Sequence, residues 1–204
     1  QGGQFLYLCS ALFAVLLIIV SLLYMKDKEE HKEEDIDVQT ILYDIYTLLS
    51  MRQLWIIGIV GCMLFAPIQI FITWAKSFYM QTIGIDETNA AIITSMLFWG
   101  VASGAPFNGW LASQTQNKNI IIRTGSLLAL INMILIIFVE NSGWYNAMLM
   151  FTLGLFVSSQ CLVFVYAKNL VSPHLTATAV AATNMIVNLS SYIQPIIGKC
   201  LSYY

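Results

Sequence analysis

Two asparagines near the end of the chain are the side chains best placed to bind a polar molecule. Asn184 and Asn188 are one helical turn apart in an apolar stretch. Small or helix-bending residues recur on the same helical face: Ala177, Ala181, Ser191 and Pro195. An amide buried without a hydrogen-bond partner is costly. We therefore expect these amides either to bond to another helix or to line a water-filled cavity, where they could bind a solute.

Four further side chains could take part in such a binding site: Gln69, Trp74, Lys76 and Gln160. The first two follow Pro67, which removes a backbone donor in the middle of an apolar segment, and broken helices carrying polar groups are common in transporter sites. For Lys76 three interpretations stay open: its ammonium reaches the membrane interface, contacts an anionic solute, or pairs with an acid. Gln160 has the same two alternatives as the asparagines.

The sequence contains no pattern typical of an enzyme. His31 and His174 are far apart, the cysteines form no Cys-x-x-Cys pair, and no acid or histidine lies deep in an apolar segment. A GxxxxGK[ST] loop for ATP is also missing from the sequence. We predict a protein that is not an enzyme, with no catalytic residues, metal site, disulfide framework or cofactor. The cysteines are expected to be buried and inert.

The elements that carry these residues are predicted to lie in a membrane. Hydrophobic residues make up 58% of the chain and charged residues 10%, whereas about 25% of a soluble domain is charged. Crossing the hydrocarbon core takes about 20 apolar residues. Six segments qualify: 5–24, 54–80, 89–112, 119–139, 144–167 and 176–202. The predicted fold class is an all-α polytopic membrane helix bundle with six transmembrane helices, the lipid bilayer as its solvent and no nucleic-acid partner.

A charged block separates the first two segments. It covers residues 26–37, and residues 40–51 after it carry apolar side chains at the spacing of an amphipathic helix that could lie on the membrane surface. The chain therefore divides into 1–24, 25–52 and 53–204. Because it begins with Gln1 and its last apolar run reaches almost to Tyr204, we expect a piece of a longer protein.

Basic residues indicate the orientation, since basic loops are retained in the cytoplasm. If the charged linker is cytoplasmic, seven of the nine basic residues lie on that side: Lys26, Lys28, Lys32, Arg52, Lys118, Arg123 and Lys168. The opposite connections carry only acidic charges, at Asp86, Glu87 and Glu140. We predict an integral membrane protein with a cytoplasmic linker.

Glycines and prolines in the third segment predict close packing and bending. Gly100 and Gly104 form a small-xxx-small face that lets another helix backbone approach, and Pro106 invites a kink before Gly109. Plain helix packing is the commoner explanation of such a face.

Three stretches together resemble one protein family. They are residues 72–84, which contain Trp74 and Lys76, residues 100–113, and Asn184 with the run Gln194-Pro195-Ile-Ile-Gly198. They are similar to the first, second and fifth helices in the C-terminal half of major facilitator superfamily transporters. Gln114 stands where the family usually has an acid, so a charge relay at that loop is not expected.

The resemblance implies where the segments belong in a complete transporter. The first would be the last helix of an N-terminal half, and the other five would form a C-terminal half without its final helix. The N-terminal half would then be a partner from the same polypeptide. Bacterial members carry similar motifs, which implies a bacterial inner membrane.

The resemblance also implies the mechanism, which is secondary active transport of a small organic solute, such as symport, by alternating access. The second, third, fifth and sixth segments would line the cavity between the halves and the fourth would face lipid. The alternative is a non-transporting receptor or scaffold whose charged linker recruits a cytoplasmic partner.

Overall fold

In the computed structural model the described residues, 2–24, 38–115, 117–138 and 143–201, are almost entirely helical. Within these described ranges nine α-helices follow one another: α1 Gly2–Tyr24, α2 Val38–Ser50, α3 Arg52–Thr82, α4 Glu87–Gln114, α5 Lys118–Phe138, α6 Trp144–Val157, α7 Cys161–Asn169, α8 Thr176–Asn188 and α9 Ile193–Leu201. Three short 3₁₀ turns lie between the later helices: Ser158–Gln160, Pro173–Leu175 and Leu189–Tyr192. The all-α prediction is confirmed for this part of the chain.

The helices match the predicted segments closely. Among the described residues, four are long and apolar enough to cross a membrane: Arg52–Thr82, Glu87–Gln114, Lys118–Phe138 and Trp144–Asn169, the last joined through a 3₁₀ turn. A shorter apolar helix covers Tyr7–Leu23. The sixth predicted segment is divided by the turn Leu189–Tyr192, so neither α8 nor α9 has that length alone.

The chain divides into two compact units, Gln1–Ile41 and Leu42–Tyr204. The first unit contains α1, and every side chain from Tyr7 to Leu23 is exposed. These side chains are overwhelmingly apolar, which is the composition of a helix solvated by lipid. The charged block of residues 26–37 lies outside the described residues.

The second unit is held together by α3, α4 and α6. Its main core contains fully buried Tyr79, Leu97, Met150 and Leu153. Without a hydrophobic driving force in lipid, such helices associate through close packing and interhelical hydrogen bonds. The contact between α4 and α6 is the most extensive in this unit.

Glycines on both helices make that contact possible. A Cβ on Gly100 would overlap the Phe151 carbonyl oxygen, and one on Gly154 would overlap the Leu97 carbonyl oxygen. A Cβ on Gly104 would lie 2.8 Å from the Leu155 carbonyl oxygen. The predicted small-xxx-small face therefore packs directly against the α6 backbone, with Gly154 as its counterpart.

The fourth segment, α5, presents apolar side chains outward. Leu127, Leu130, Ile134 and Phe138 are exposed. Its buried Asn132 points the other way, because its Nδ2 donates to Thr152 Oγ1 on α6 at 2.6 Å. This helix has the surface of one that faces lipid.

Asp86 caps α4 just outside the predicted third segment. The Asn89 backbone N–H donates to Asp86 Oδ2 at 3.2 Å, as at a helix N-cap. Hydrogen bonds from the Asn89 side chain and backbone hold the pKa of this carboxyl below its usual value. The stabilisation is therefore present at neutral pH and is lost as the pH falls through the lowered pKa.

The cysteines differ from the expectation. Cys62 is buried, but Cys9, Cys161 and Cys200 are exposed. The prediction of buried thiols is wrong for these three, because a membrane-crossing helix presents apolar residues to lipid as readily as to a protein core.

Candidate functional site

Asn184 and Asn188 lie on the outer face of α8. Both side chains are exposed. Asn188 Nδ2 donates to the Asn184 carbonyl oxygen at 2.8 Å and to Asn184 Oδ1 at 3.1 Å. Within the described part of the chain, neither amide bonds to another helix. Asn188 therefore places Asn184 Oδ1, and the two amides present a joint polar surface on an otherwise apolar helix.

Small residues leave open space beside this pair. Ala177 and Ala181, one and two turns before Asn184, are also exposed, so the predicted common face is present on α8. A shallow groove, open to the outside, lies beside this face. Its lining residues are Phe164, Pro173, His174, Thr176, Ala177, Val180, Ala181 and Asn184. This surface, residues 177, 181, 184 and 188 with the groove, is called the α8 amide face below.

Gln69 belongs to a different contact. Its Nε2 donates to Ser191 Oγ at 2.7 Å, and Gln194 Nε2 donates to the Gln69 carbonyl oxygen at 3.0 Å. Ser191, predicted to share the face of Asn184, is half-buried and turned toward α3 by this bond. Gln69, two residues after Pro67, therefore joins α3 to the turn Leu189–Tyr192 and to α9. It does not reach the α8 amide face.

Lys76 pairs with an acid at the end of α3. Its Nζ lies 2.7 Å from Glu87 Oε1 at the start of α4, and the two side chains are 43% and 71% exposed. The structure thus favours the third interpretation of this lysine. Nearby Trp74 packs against α9, where a Cβ on Gly198 would lie 3.1 Å from its ring. Its indole N–H is buried without a hydrogen-bond partner among the described residues.

Replacing Lys76 or Glu87 by alanine is expected to change the free energy of unfolding by about 1 kcal/mol or less, because the ion pair is partly exposed. Solute uptake by the full-length protein should persist in both variants. Uptake lost in Lys76→Ala and not restored by the charge swap Lys76→Glu with Glu87→Lys would contradict this, and would place the lysine in the solute site.

Gln160 lies in the turn Ser158–Gln160, which interrupts the helix near the middle of the Trp144–Asn169 segment. It is 9% exposed and makes no side-chain hydrogen bond with another described residue. Next to it, Asn108 Nδ2 donates to Ser158 Oγ at 2.8 Å and to the Leu155 carbonyl oxygen at 3.3 Å. The turn is therefore bonded to α4 through Asn108, while the Gln160 side chain is buried without a hydrogen bond to another described residue.

Asn108→Leu is expected to destabilise the protein by about 0.6 to 2 kcal/mol, the range measured for hydrogen bonds between membrane helices. Thermal unfolding in detergent would measure this effect. Asn119→Leu is the matched control, because Asn119 is exposed at the start of α5. Equal unfolding temperatures for the two variants would show that the Asn108 contact contributes nothing.

The residues predicted to bend or pack have mixed surroundings. Pro67 and Pro106 lie inside α3 and α4, which continue through them. Pro195 is exposed in the first turn of α9. Gly109, unlike Gly100 and Gly104, has no described atom within 4 Å of the position where a Cβ would lie. Close packing is therefore concentrated at the first two glycines of the motif.

Sequence reasoning did not assign a role to Asn108, Ser158 or Gly154. Asn108 carries the same signal as Asn184, an amide deep in an apolar segment. What distinguishes the two is the direction in which each faces, inward for Asn108 and outward for Asn184. Nothing in the sequence marks Gly154 as the partner of Gly100.

Long apolar helices and close glycine packing define a polytopic helical membrane protein, and α8 adds an outward-facing amide pair. The family model of the Major Facilitator Superfamily matches residues 2–195. The chain therefore belongs to this family, whose members transport solutes across membranes. No curated protein and no solved structure matched the chain.

Proposed function

We propose that this protein carries out secondary active transport of a small organic solute by alternating access, with the α8 amide face as part of the solute site. The exposed Asn184 and Asn188 pair is the observation that carries the proposal. Two amides exposed on a helix of a membrane bundle need a polar neighbour, because lipid offers no hydrogen bonds. A hydrated cavity that holds a solute meets this need.

The second wall of this cavity would come from the N-terminal half of the same polypeptide. Transporters of this kind bind their substrates near the midplane between two halves. Gln160, in the turn that precedes α7, would add a third amide to the site, because its side chain has no hydrogen-bond partner among the described residues. Alternating access would then close and open the cavity around these amides.

Features of the sequence support an orientation and an energy source for this proposal. A cytoplasmic linker puts Lys118, Arg123 and Lys168 on the cytoplasmic side and Asp86 with Glu87 on the other. We infer a bacterial inner membrane, where an ion gradient can drive symport. Nucleotide-driven transport is disfavoured, because this sequence has no phosphate-binding loop.

Uptake by the full-length protein in cells tests the proposal. A panel of radiolabelled sugars, polyols and amino acids would be screened for accumulation above that of cells without the protein. We expect at least one solute to accumulate and a protonophore to abolish its accumulation. Equilibration without accumulation would contradict secondary active transport. Absence of uptake, together with capture of a cytoplasmic protein by the charged linker, would favour the receptor or scaffold.

A further inference from the structure

A cavity lies at the end of the bundle where α4 and α6 begin. Its polar end is formed by Asp86 and Asn89 beside the start of α4 and by Gly143 and Trp144 beside the start of α6. All of its lining residues belong to the second unit, and none of them lines the groove at the α8 amide face. The cavity is therefore separate from the proposed solute site.

Beyond this polar end the walls of the cavity are apolar. Ile93 and Ala147 are buried, Met96 is half-buried and Ile92 is exposed. Asp86 and Met96 are ten residues apart, which corresponds to about 15 Å along a helix. The hydrocarbon core is about 30 Å thick, so the cavity extends through about one leaflet. A ligand that fills it must be amphiphilic.

The polar end carries a negative charge without a counter-ion among the described residues. Lys76 is already paired with Glu87 at 2.7 Å, and Asp86 forms no ion pair in the described part of the chain. Its carboxylate accepts hydrogen bonds from the Asn89 backbone and side chain. A carboxylate has about four acceptor positions, so Asp86 can accept from a further donor. A cationic donor would also balance its charge.

Two features at the start of α6 fit a head group that carries both an ammonium and a phosphate. The Trp144 side chain is 86% exposed where it lines the cavity, and the face of an indole ring attracts an ammonium. Gly143 supplies no side-chain cap to α6, and backbone N–H groups at the start of a helix favour phosphate oxygens. The two charges of a zwitterionic head group would thus each meet a complementary group.

We propose that this cavity binds phosphatidylethanolamine, with the ammonium at Asp86 and one acyl chain against Ile93 and Met96. A primary ammonium has three N–H donors, whereas the quaternary ammonium of phosphatidylcholine has none. The anionic head group of phosphatidylglycerol would bring no cation to Asp86. Binding should therefore be strongest for ethanolamine, weaker for choline and weakest for glycerol. This proposal does not depend on what the protein transports.

Photolabelling of the full-length protein in detergent tests it. The probe is phosphatidylethanolamine with a photoreactive diazirine in one acyl chain, and mass spectrometry of peptides would locate the label. We expect labelling of α4 near residues 92–96 and of α6 near Ala147. Unlabelled phosphatidylethanolamine should displace the probe at about two- to fivefold lower concentration than phosphatidylcholine, as expected for one exposed ion pair.

Asp86→Asn should abolish this preference for ethanolamine and leave folding intact, because asparagine caps a helix as well as aspartate does. The control is the double variant Lys76→Gln with Glu87→Gln, which removes the neighbouring ion pair outside the cavity lining without changing the net charge. It should retain the preference.

Three results would overturn the proposal. Label absent from the cavity peptides would place the lipid elsewhere. Equal displacement by the two lipids in the unmodified protein would show only the lipid that surrounds any membrane helix. A preference retained in Asp86→Asn would show that this carboxylate does not recognise the head group.

Discussion

Gly100→Ala is expected to destabilise the protein severely, although it adds a single methyl group. The new Cβ would overlap the Phe151 carbonyl oxygen on α6. Backbone atoms cannot rotate away as a side chain can, so α4 and α6 must separate along their whole contact. Overpacking of a close-packed core typically costs about 1 to 3 kcal/mol and can cost more. We expect the upper end of this range, seen as a lower unfolding temperature in detergent.

Gly109→Ala on the same helix is the matched control. No described atom lies within 4 Å of its Cβ position, and alanine is a better helix former than glycine by about 1 kcal/mol. This variant should be as stable as the unmodified protein or more stable. Equal losses of stability in the two variants would mean that helix propensity, and not the α4–α6 approach, sets the requirement for glycine.

The double substitution Asn184→Ala with Asn188→Ala is expected to abolish most solute uptake and to leave folding intact. Asn188 Nδ2 donates to Asn184 within α8, and neither amide bonds to another described helix, so the bundle does not depend on them. Two lost hydrogen bonds to a solute, at about 0.5 to 1.5 kcal/mol each, correspond to about a 5- to 150-fold loss of affinity. Uptake assays and thermal unfolding of the same preparations would separate the two effects.

Asn132→Ala is the contrasting variant. Asn132 is buried and bonded to Thr152 on α6, so its loss should lower the unfolding temperature and leave the solute affinity of the folded protein unchanged. Addition of Gln160→Ala to the double variant should reduce uptake further. Unchanged uptake in the triple variant would refute the assignment of these amides to the site.

The long helices could be predicted from sequence because a run of about 20 apolar residues marks a membrane crossing. Arg52–Thr82 and Glu87–Gln114 each extend two residues beyond the predicted segments at both ends. Polar residues can continue a helix past the hydrocarbon core, where hydropathy no longer marks the boundary. The amphipathic spacing likewise predicted α2, which the structure begins at Val38.

The two turns within the last segments could not be predicted. Ser158–Gln160 and Leu189–Tyr192 contain neither glycine nor proline, the usual local signals of an interruption. Both turns receive hydrogen bonds from other helices, from Asn108 and Gln69 respectively. The interruption is therefore linked to tertiary contacts, which a single sequence does not reveal.

The predicted site residues lie in two different kinds of surroundings for the same reason. Composition marks Gln69, Asn108, Asn132, Asn184 and Asn188 alike as amides in apolar segments. The rotation of each helix about its axis and its position along its neighbours decide the outcome. The first three bond between helices, and the last two face outward. Lys76 is a similar case, since its partner Glu87 lies across a loop and on the next helix.

Accessibility of position 184 to water tests the central claim most directly. In the full-length protein with its native cysteines replaced by serine, Asn184→Cys would be treated with a membrane-impermeant, charged thiol reagent in membranes opened to both sides. Leu130→Cys on exposed α5 serves as the lipid-facing control. We predict modification of the thiol at position 184 and none at position 130. An unreactive thiol at position 184 in folded protein would contradict the account, because this face would then lie against lipid or another helix and could not line a hydrated solute cavity.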